Sequence, residues 1–181
     1  MSALVGTDAW TTVLSGPSGD TDGTPVLVLA VGNLLMGDEG VGLHALRELE
    51  RMPSVPGVRL LDGGTGGVNL LAELQSARVV VMLDATRDGR PAGTIALLRP
   101  DRVADLPRGL SAHDFGVKDL FAAAALLGHL PEIHLLTISV EEVKPMCMDL
   151  SAPVAAAVPV AAGKAYALVR RLAEVFIPRL P

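Results

Sequence analysis

The chain alternates between runs of consecutive apolar residues and segments whose apolar positions recur at helical spacing. Residues 26–31 form a continuous apolar run between a proline and a glycine, which is typical of a strand buried on both faces. Residues 41–51 follow with four apolar positions on one side, which predicts an amphipathic helix. A strand that leads through a short loop into a helix is the repeating unit of α/β domains.

The same alternation continues to the end of the chain. It predicts strands at residues 58–62, 79–84, 94–98 and 133–140, and helices at residues 68–76, 117–127 and 153–176. We expect residues 94–98 to be an edge strand, and the last helix to be kinked or broken at Pro159. The predicted fold is an α/β three-layer sandwich with a mainly parallel, twisted sheet of about five strands and helices on both faces.

The N-terminal 24 residues differ from the rest of the chain. They are rich in Gly, Ser, Thr and Asp and show no sustained apolar period. We therefore predict a flexible leader at residues 1–24, dispensable for folding, and one domain at residues 25–181.

Composition and charge exclude several classes of function. The net charge is −5 and the sequence shows no basic cluster, so nucleic acid is not an expected partner. The first basic residue is Arg47, and the most apolar stretch, 152–162, is shorter than the roughly 20 residues that span a bilayer. Cys147 is the only cysteine, which fits a reducing compartment. We expect a cytoplasmic protein with no membrane association.

Polar side chains follow several of the predicted strands. They are Asn33, Asp38 and Glu39 after the first strand, Asp62 after the second, Asp84 and Thr86 after the third, and Ser111, His113 and Asp114 before the third helix. Ligands of open parallel sheets bind beyond the carboxyl ends of the strands, so these groups should meet at one edge, near the surface. Carboxylates and an imidazole there suit a divalent metal with oxygen and nitrogen ligands.

Each candidate also has a structural interpretation. Asp38 can favour the entry to the first helix through its dipole, and Asp62 before three small residues is an ordinary turn former. His44, His129 and His134 fall on a helix face, a helix end and a strand. Cys147 lies between two methionines with no histidine nearby in sequence, so we do not expect it to be a nucleophile.

Signatures of other enzymes are absent from the sequence. There is no G-x-G-x-x-G, no G-x-x-x-x-G-K-[ST], no G-x-S-x-G and no H-E-x-x-H. Two acidic residues in the first glycine-containing loop favour a cation over a phosphate.

Four segments resemble one known family. Residues 31–42, VGNLLMGDEGVG, look like the N-terminal signature of hydrogenase maturation proteases. Further blocks match in order: DGGT at 62–65, LDA at 83–85 and SAHDFG at 111–116, with Leu150, Ser151 and Val154 resembling the opening of the last helix. The resemblance covers about residues 25 to 175.

This resemblance implies an endopeptidase that removes a C-terminal extension from the large-subunit precursor of nickel–iron hydrogenase, after a cysteine-containing motif of that substrate. It implies metal binding by Glu39, Asp84 and His113, with nickel carried by the precursor and zinc or cadmium able to substitute. Asp38 is the nearest spare carboxylate for a base. The expected partners are the precursor and hydrogenase nickel-insertion factors, and the protein is expected to be a monomer.

Two departures and two alternatives accompany the resemblance. The leader is long, and Met148 stands where the family often has glycine. A non-enzymatic nickel-dependent assembly factor could use the same ligands without cleavage, and a small-ligand or nucleotide-binding α/β module could use the glycine loops.

Overall fold

The computed structural model describes residues 24–100, 103–106, 110 and 116–176. Within these residues, five strands form one sheet in the order β2-β1-β3-β5-β4. The strands are β1 (Thr24–Ala30), β2 (Val58–Asp62), β3 (Ala77–Thr86), β4 (Ile95–Leu98) and β5 (Glu132–Ser139). The helices are α1 (Val41–Glu50), α2 (Leu71–Gln75), α3 (Val117–Leu126) and α4 (Ala152–Phe176). Short 3₁₀ turns at Gly37–Gly40 and Gly67–Leu70 lead into α1 and α2.

The sheet is parallel except at one edge. Strands β2, β1, β3 and β5 run in the same direction, and β4 is antiparallel to β5. The predicted α/β class, the mainly parallel sheet and the edge position of residues 94–98 are therefore confirmed. Apart from Thr24, which begins β1, the predicted leader lies outside the described residues, and the leader–domain boundary stays a prediction.

Helices cover both faces of the sheet, as the continuous apolar runs predicted. Alternate residues of the central strands point to opposite sides. Val26 and Val28 of β1 pack with α1 and α4, whereas Leu27 and Leu29 pack with α2 and α3. All four side chains are fully buried, so β1 lies at the centre of two apolar layers.

The last helix has the predicted bounds to within one residue and is continuous. Of the two outcomes expected at Pro159, the break is wrong, because α4 runs without interruption from Ala152 to Phe176, and the kink stays a prediction. Pro159 lies on the exposed side, and the carbonyl it leaves without a donor belongs to Ala155, which is also exposed and can bond to water. Burial of the opposite face offsets the cost of the proline, which is about 3 kcal/mol in a helix interior.

The sequence suggested that no apolar segment is long enough to span a bilayer. That argument fails because α4 is continuous. In the described part of the chain, α4 is the one helix long and apolar enough to cross a bilayer. Its buried side chains, however, pack on α1 and on the central strands. That packing is typical of the core helix of a soluble protein.

Glu132, at the start of β5, leads to a prediction about how the stability of the fold depends on pH. Burial would raise its pKa, but a hydrogen bond with His134 and the nearby Arg99 outweigh burial and lower it. A carboxyl whose pKa is lowered on folding stabilises the fold above its unfolded pKa, about 4.3, and loses this effect as pH falls through the folded value. We expect Glu132→Gln to lower the melting temperature at pH 6 to 7 and to differ little from wild type near pH 3. An equal difference at both pH values would contradict this account.

Candidate functional site

The turn between β1 and α1 carries two buried carboxylates. Asp38 and Glu39 lie in the 3₁₀ turn Gly37–Gly40 and are 7% and 2% exposed. The preceding loop is held by Asn33, whose Oδ1 accepts a hydrogen bond of 3.0 Å from the N–H of Leu35. The turn contacts β3 as well as α1. Glu39 is therefore held against the carboxyl end of the sheet.

Two glycines let the backbone approach closely at this turn. Gly32 has φ +145°, and a Cβ there would lie 2.3 Å from the carbonyl oxygen of Glu39. A Cβ on Gly42 would lie 2.6 Å from the carbonyl oxygen of Leu83 and 2.7 Å from that of Val31. Real Cβ atoms do not approach oxygen so closely, so both positions require glycine. These contacts dock the first turn of α1 onto the ends of β1 and β3.

Asp84 supplies the third buried carboxylate. It lies in β3 beside Thr137 of β5 and is fully buried. The strand continues to Thr86, two residues beyond the predicted end. By alternation, Asp84 points to the α3 side of the sheet, as do Val80 and Met82 earlier in the strand. Burial of a carboxylate is costly unless hydrogen bonds or charges compensate it.

The structure brings two of the predicted metal ligands to one edge. The turn with Glu39 lies against the strand with Asp84. Leu110 forms a β-bridge to Thr86, and α3 begins after Gly116. His113 falls between these two points, outside the described residues. Among the residues described, no group of three or more His, Cys, Asp and Glu side chains could hold a metal ion. The three-ligand site therefore stays a prediction.

The prediction that the metal ligands lie near the surface is wrong for Glu39 and Asp84. We expected near-surface carboxylates whose loss would hardly affect stability, but Glu39 and Asp84 are buried. The close docking of the turn removes Glu39 from solvent, and the position of Asp84 within a central strand does the same for its carboxylate. Substitutions at either residue must therefore keep the shape of the side chain.

Asp38 lies in the turn before α1, but its hydrogen bonds reach the start of α4. Its Oδ1 accepts a hydrogen bond of 2.6 Å from the N–H of Ser151, and its Oδ2 accepts one of 2.8 Å from the Ser151 hydroxyl. Ser151 precedes α4, and its carbonyl accepts the N–H of Ala155 at 2.8 Å. Asp38 thus fixes the start of α4 to the turn before α1, and this arrangement favours a structural role.

Ser151 is the site residue whose role the sequence did not reveal. A serine just before an apolar helix is a familiar N-cap signal. That signal predicts where α4 begins. It carries no information about a partner 113 positions earlier in the chain.

The glycine-rich loop after β2 shapes the rim of the same edge. Asp62 is exposed, and its Oδ1 accepts a hydrogen bond of 2.9 Å from the N–H of Gly64. Gly64 has φ +47°, and its carbonyl accepts the N–H of Gly32 at 2.9 Å. These contacts support the interpretation of Asp62 as a turn former.

The histidines in the described part of the chain lie in a strand, in a helix and at a helix end, as the sequence indicated. His134 in β5 is buried, with Nε2 2.9 Å from Glu132 Oε1. Burial lowers the pKa of His44 in α1, and the charge of Arg47 lowers it further. The N–H of His129 bonds to the carbonyl of Ala124 at the end of α3.

Comparison with known proteins gives this arrangement a family. Residues 43–167 match the hydrogenase maturation protease family. The hydrogenase 2 maturation protease of Escherichia coli is 32% identical over 158 residues, which cover 85% of this chain and 96% of that protein. The chain belongs to the hydrogenase maturation protease family.

Solved structures and other relatives agree with this assignment. The hydrogenase maturating endopeptidase HybD from E. coli is similar with a TM-score of 0.73 and 29% identity, over 81% of this chain and 93% of that one. HupD of Thiocapsa roseopersicina, a hydrogenase expression/formation protein, is 41% identical over 66% of this chain. The chain spans 55% of that relative and 65% of HoxM from Azotobacter vinelandii.

The close docking of α1 on the sheet can be tested with a matched pair of substitutions. Gly42→Ala places a methyl group against two backbone carbonyls, so we expect a loss of about 1–3 kcal/mol in the free energy of unfolding. Gly163→Ala is the control, because nothing lies within 4 Å of its added Cβ on the exposed face of α4. It should stabilise the protein by about 0.5–1 kcal/mol. Denaturant unfolding measures both, and equal effects would contradict the packing argument.

The contact between Asp38 and Ser151 can be tested by a double-mutant cycle. Asp38→Ala leaves the N–H of Ser151 without its acceptor, so we expect a loss of about 1–3 kcal/mol. Ser151→Ala removes only the hydroxyl and should cost less. The double variant should be less destabilised than the sum of the single variants, with a coupling of about 0.5–3 kcal/mol. Strictly additive free energies of unfolding would show that the bond from the Ser151 hydroxyl to Asp38 does not form in solution.

Proposed function

We propose that this chain is an endopeptidase that removes the C-terminal extension of the nickel-loaded large-subunit precursor of nickel–iron hydrogenase. The observation that carries this proposal is the placement of Glu39 and Asp84, two buried carboxylates, at the carboxyl edge of a parallel sheet in a member of this family. Burial of acidic groups is unfavourable for folding, and groups of this kind concentrate at functional sites.

The nickel belongs to the substrate in this proposal. Glu39, Asp84 and His113 would bind it, and carboxylate and imidazole ligands also suit zinc or cadmium. By holding the ion, these residues orient the tail of the precursor against the site, which lowers the entropic cost of reaction. Because both carboxylates are buried, the ion reaches them only after a local rearrangement of the site.

Peptide hydrolysis needs a group that accepts a proton from the attacking water. The water oxygen bonds to the carbonyl carbon, the C–N bond breaks, and the proton reaches the leaving amine. Both oxygens of Asp38 accept hydrogen bonds from Ser151, which makes Asp38 a poor base. Glu39 and Asp84 are then the carboxylates best placed for this role, and an ion that polarises the carbonyl assists the attack.

The expected setting of the reaction follows from the same proposal. The protein would act as a monomer in the cytoplasm and meet the precursor after the nickel-insertion factors have loaded it. The cleavage step as proposed uses no nucleotide. The space beside Gly32 and Gly42 is occupied by backbone oxygens of this chain, which a Cβ would clash with. These glycines therefore allow close packing and do not make room for a phosphate.

The decisive experiment mixes the protein with the nickel-loaded precursor and follows the precursor's mass. We expect loss of the C-terminal extension with wild type. Glu39→Gln, Asp84→Asn and His113→Ala should each reduce the rate at least about a hundredfold, the usual effect of losing a group that contacts the reacting atoms. Glu174→Gln, at an exposed position near the end of α4, is the control and should cleave normally.

Two results would overturn the proposal. Normal cleavage by a folded Asp84→Asn protein would remove the metal-site mechanism. Tight binding of the nickel-loaded precursor without any loss of mass, under conditions where other factors mature it, would assign the chain to the non-enzymatic assembly factors.

A further inference from the structure

The loop after β5 and the loop after β1 pair beside the candidate site. Met36 and Cys147 form a parallel β-bridge. The N–H of Gly37 donates to the carbonyl of Cys147 at 2.7 Å, and the N–H of Cys147 donates to the carbonyl of Leu35 at 3.2 Å. These bonds hold the two loops together as one surface. We call it the paired loops (residues 35–37 and 146–148).

The paired loops expose large apolar side chains. Met146 is 87% exposed, Met148 is 61% exposed and Leu35 is 50% exposed. The parallel register brings Leu35 level with Met146. Met146 also has φ +57°, the one positive value among the described non-glycine residues. A left-handed backbone is unfavourable for methionine, and such conformations concentrate at functional positions. Exposed methionines are adaptable contacts for other polypeptides.

An acidic cleft of about 290 Å³ lies directly beside the paired loops. Its exposed charged side chains are Glu141, Glu142, Asp149 and Lys144, and Asp38 adds a carboxylate at its inner end. Four acidic groups against one basic group leave a net charge of −3 in the lining. Apolar Ala92, Leu150 and Pro153 complete the cleft. A ligand that fits this lining carries positive charge together with apolar groups.

Segments of this chain do not fit the cleft. Residues 1–23 contain three aspartates and neither lysine nor arginine, so like charge opposes their binding. The described part of the chain after the cleft is α4, whose 25 residues lead away from it for about 37 Å.

We infer that the acidic cleft and the paired loops bind a segment of the client precursor that combines a basic side chain with neighbouring apolar ones. This inference rests on the proposed function. Asp38 lines the cleft while its chain neighbour Glu39 belongs to the candidate site, so a segment held here lies next to the scissile region. Charge complementarity steers the precursor in, and the methionines and Leu35 contribute apolar contact.

Two pairs of variants test the inference with the nickel-loaded precursor. One is Glu142→Lys with Asp149→Lys, which changes the net charge of the lining from −3 to +1. The other is Met146→Asn with Met148→Ser, where asparagine tolerates the left-handed backbone. For each pair we expect KM for the precursor to rise roughly fivefold to tenfold with kcat within about twofold of wild type. The charge pair should also lose the salt dependence of KM.

Matched controls lie at the opposite end of the molecule. Glu174→Lys changes an exposed acidic residue of α4, and Leu126→Ser removes an exposed apolar side chain at the end of α3. Both should leave KM unchanged. Melting temperatures of all variants, and gel filtration of each, check folding and self-association.

The outcomes separate this inference from the proposed function. Unchanged KM in both folded pairs, with wild type cleaving normally, overturns the docking surface alone. A change in self-association without a change in KM assigns the surface to a second copy of the chain and also overturns it. If wild type does not cleave, direct binding of the precursor to immobilised protein decides: weaker binding by both pairs supports the surface, while the endopeptidase proposal fails.

Discussion

The candidate site depends on how closely the backbone of α1 can approach the sheet. Gly42 has no room for a side chain, because the carbonyl oxygens of Val31 and Leu83 lie where its Cβ would be. Gly32 faces the carbonyl of Glu39 in the same way. Any larger residue would move the turn away from the sheet. The burial of Glu39, its place against β3 and the direction of α1 all follow from these two contacts.

This close docking also explains why the acidic groups can be held in a dry environment. A buried carboxylate requires compensation, and a rigid surround provides it better than a mobile loop. The turn before α1 contacts β3 on one side and is fixed on the other by the bonds from Ser151 to Asp38. Two adjacent acidic residues therefore have different surroundings: Asp38 holds the start of α4, and Glu39 is buried in the turn that lies against β3.

The sequence predicted the elements well because their apolar patterns are strong. The runs at residues 26–31 and 79–83, which became most of β1 and β3, are apolar throughout, and only burial on both faces accommodates such runs. Contacts between distant segments were harder to foresee. The bond between Asp38 and Ser151 spans 113 positions, and periodicity shows which face of an element is buried without showing its partner.

The errors have the same origin. Pro159 suggested a break because local rules treat a proline as a helix terminator, whereas the buried face of α4 outweighs that preference. Asp84 was expected near the surface because a polar residue at a strand end usually is, but β3 continues beyond it. In each case tertiary packing overrode a local signal, and a single sequence contains little information about packing strength.

The two sides of the turn before α1 differ in how freely they can change. On the α3 side, Asp84 lies in a fully buried strand, so a substitution there disturbs the core. On the α4 side, none of residues 141–149 is buried, although this segment supplies much of the acidic cleft. The segment at residues 141–149 can therefore change its side chains with less disturbance of the core than the strand that carries Asp84. Met148 fits that division, because its side chain is exposed and can change without altering the fold.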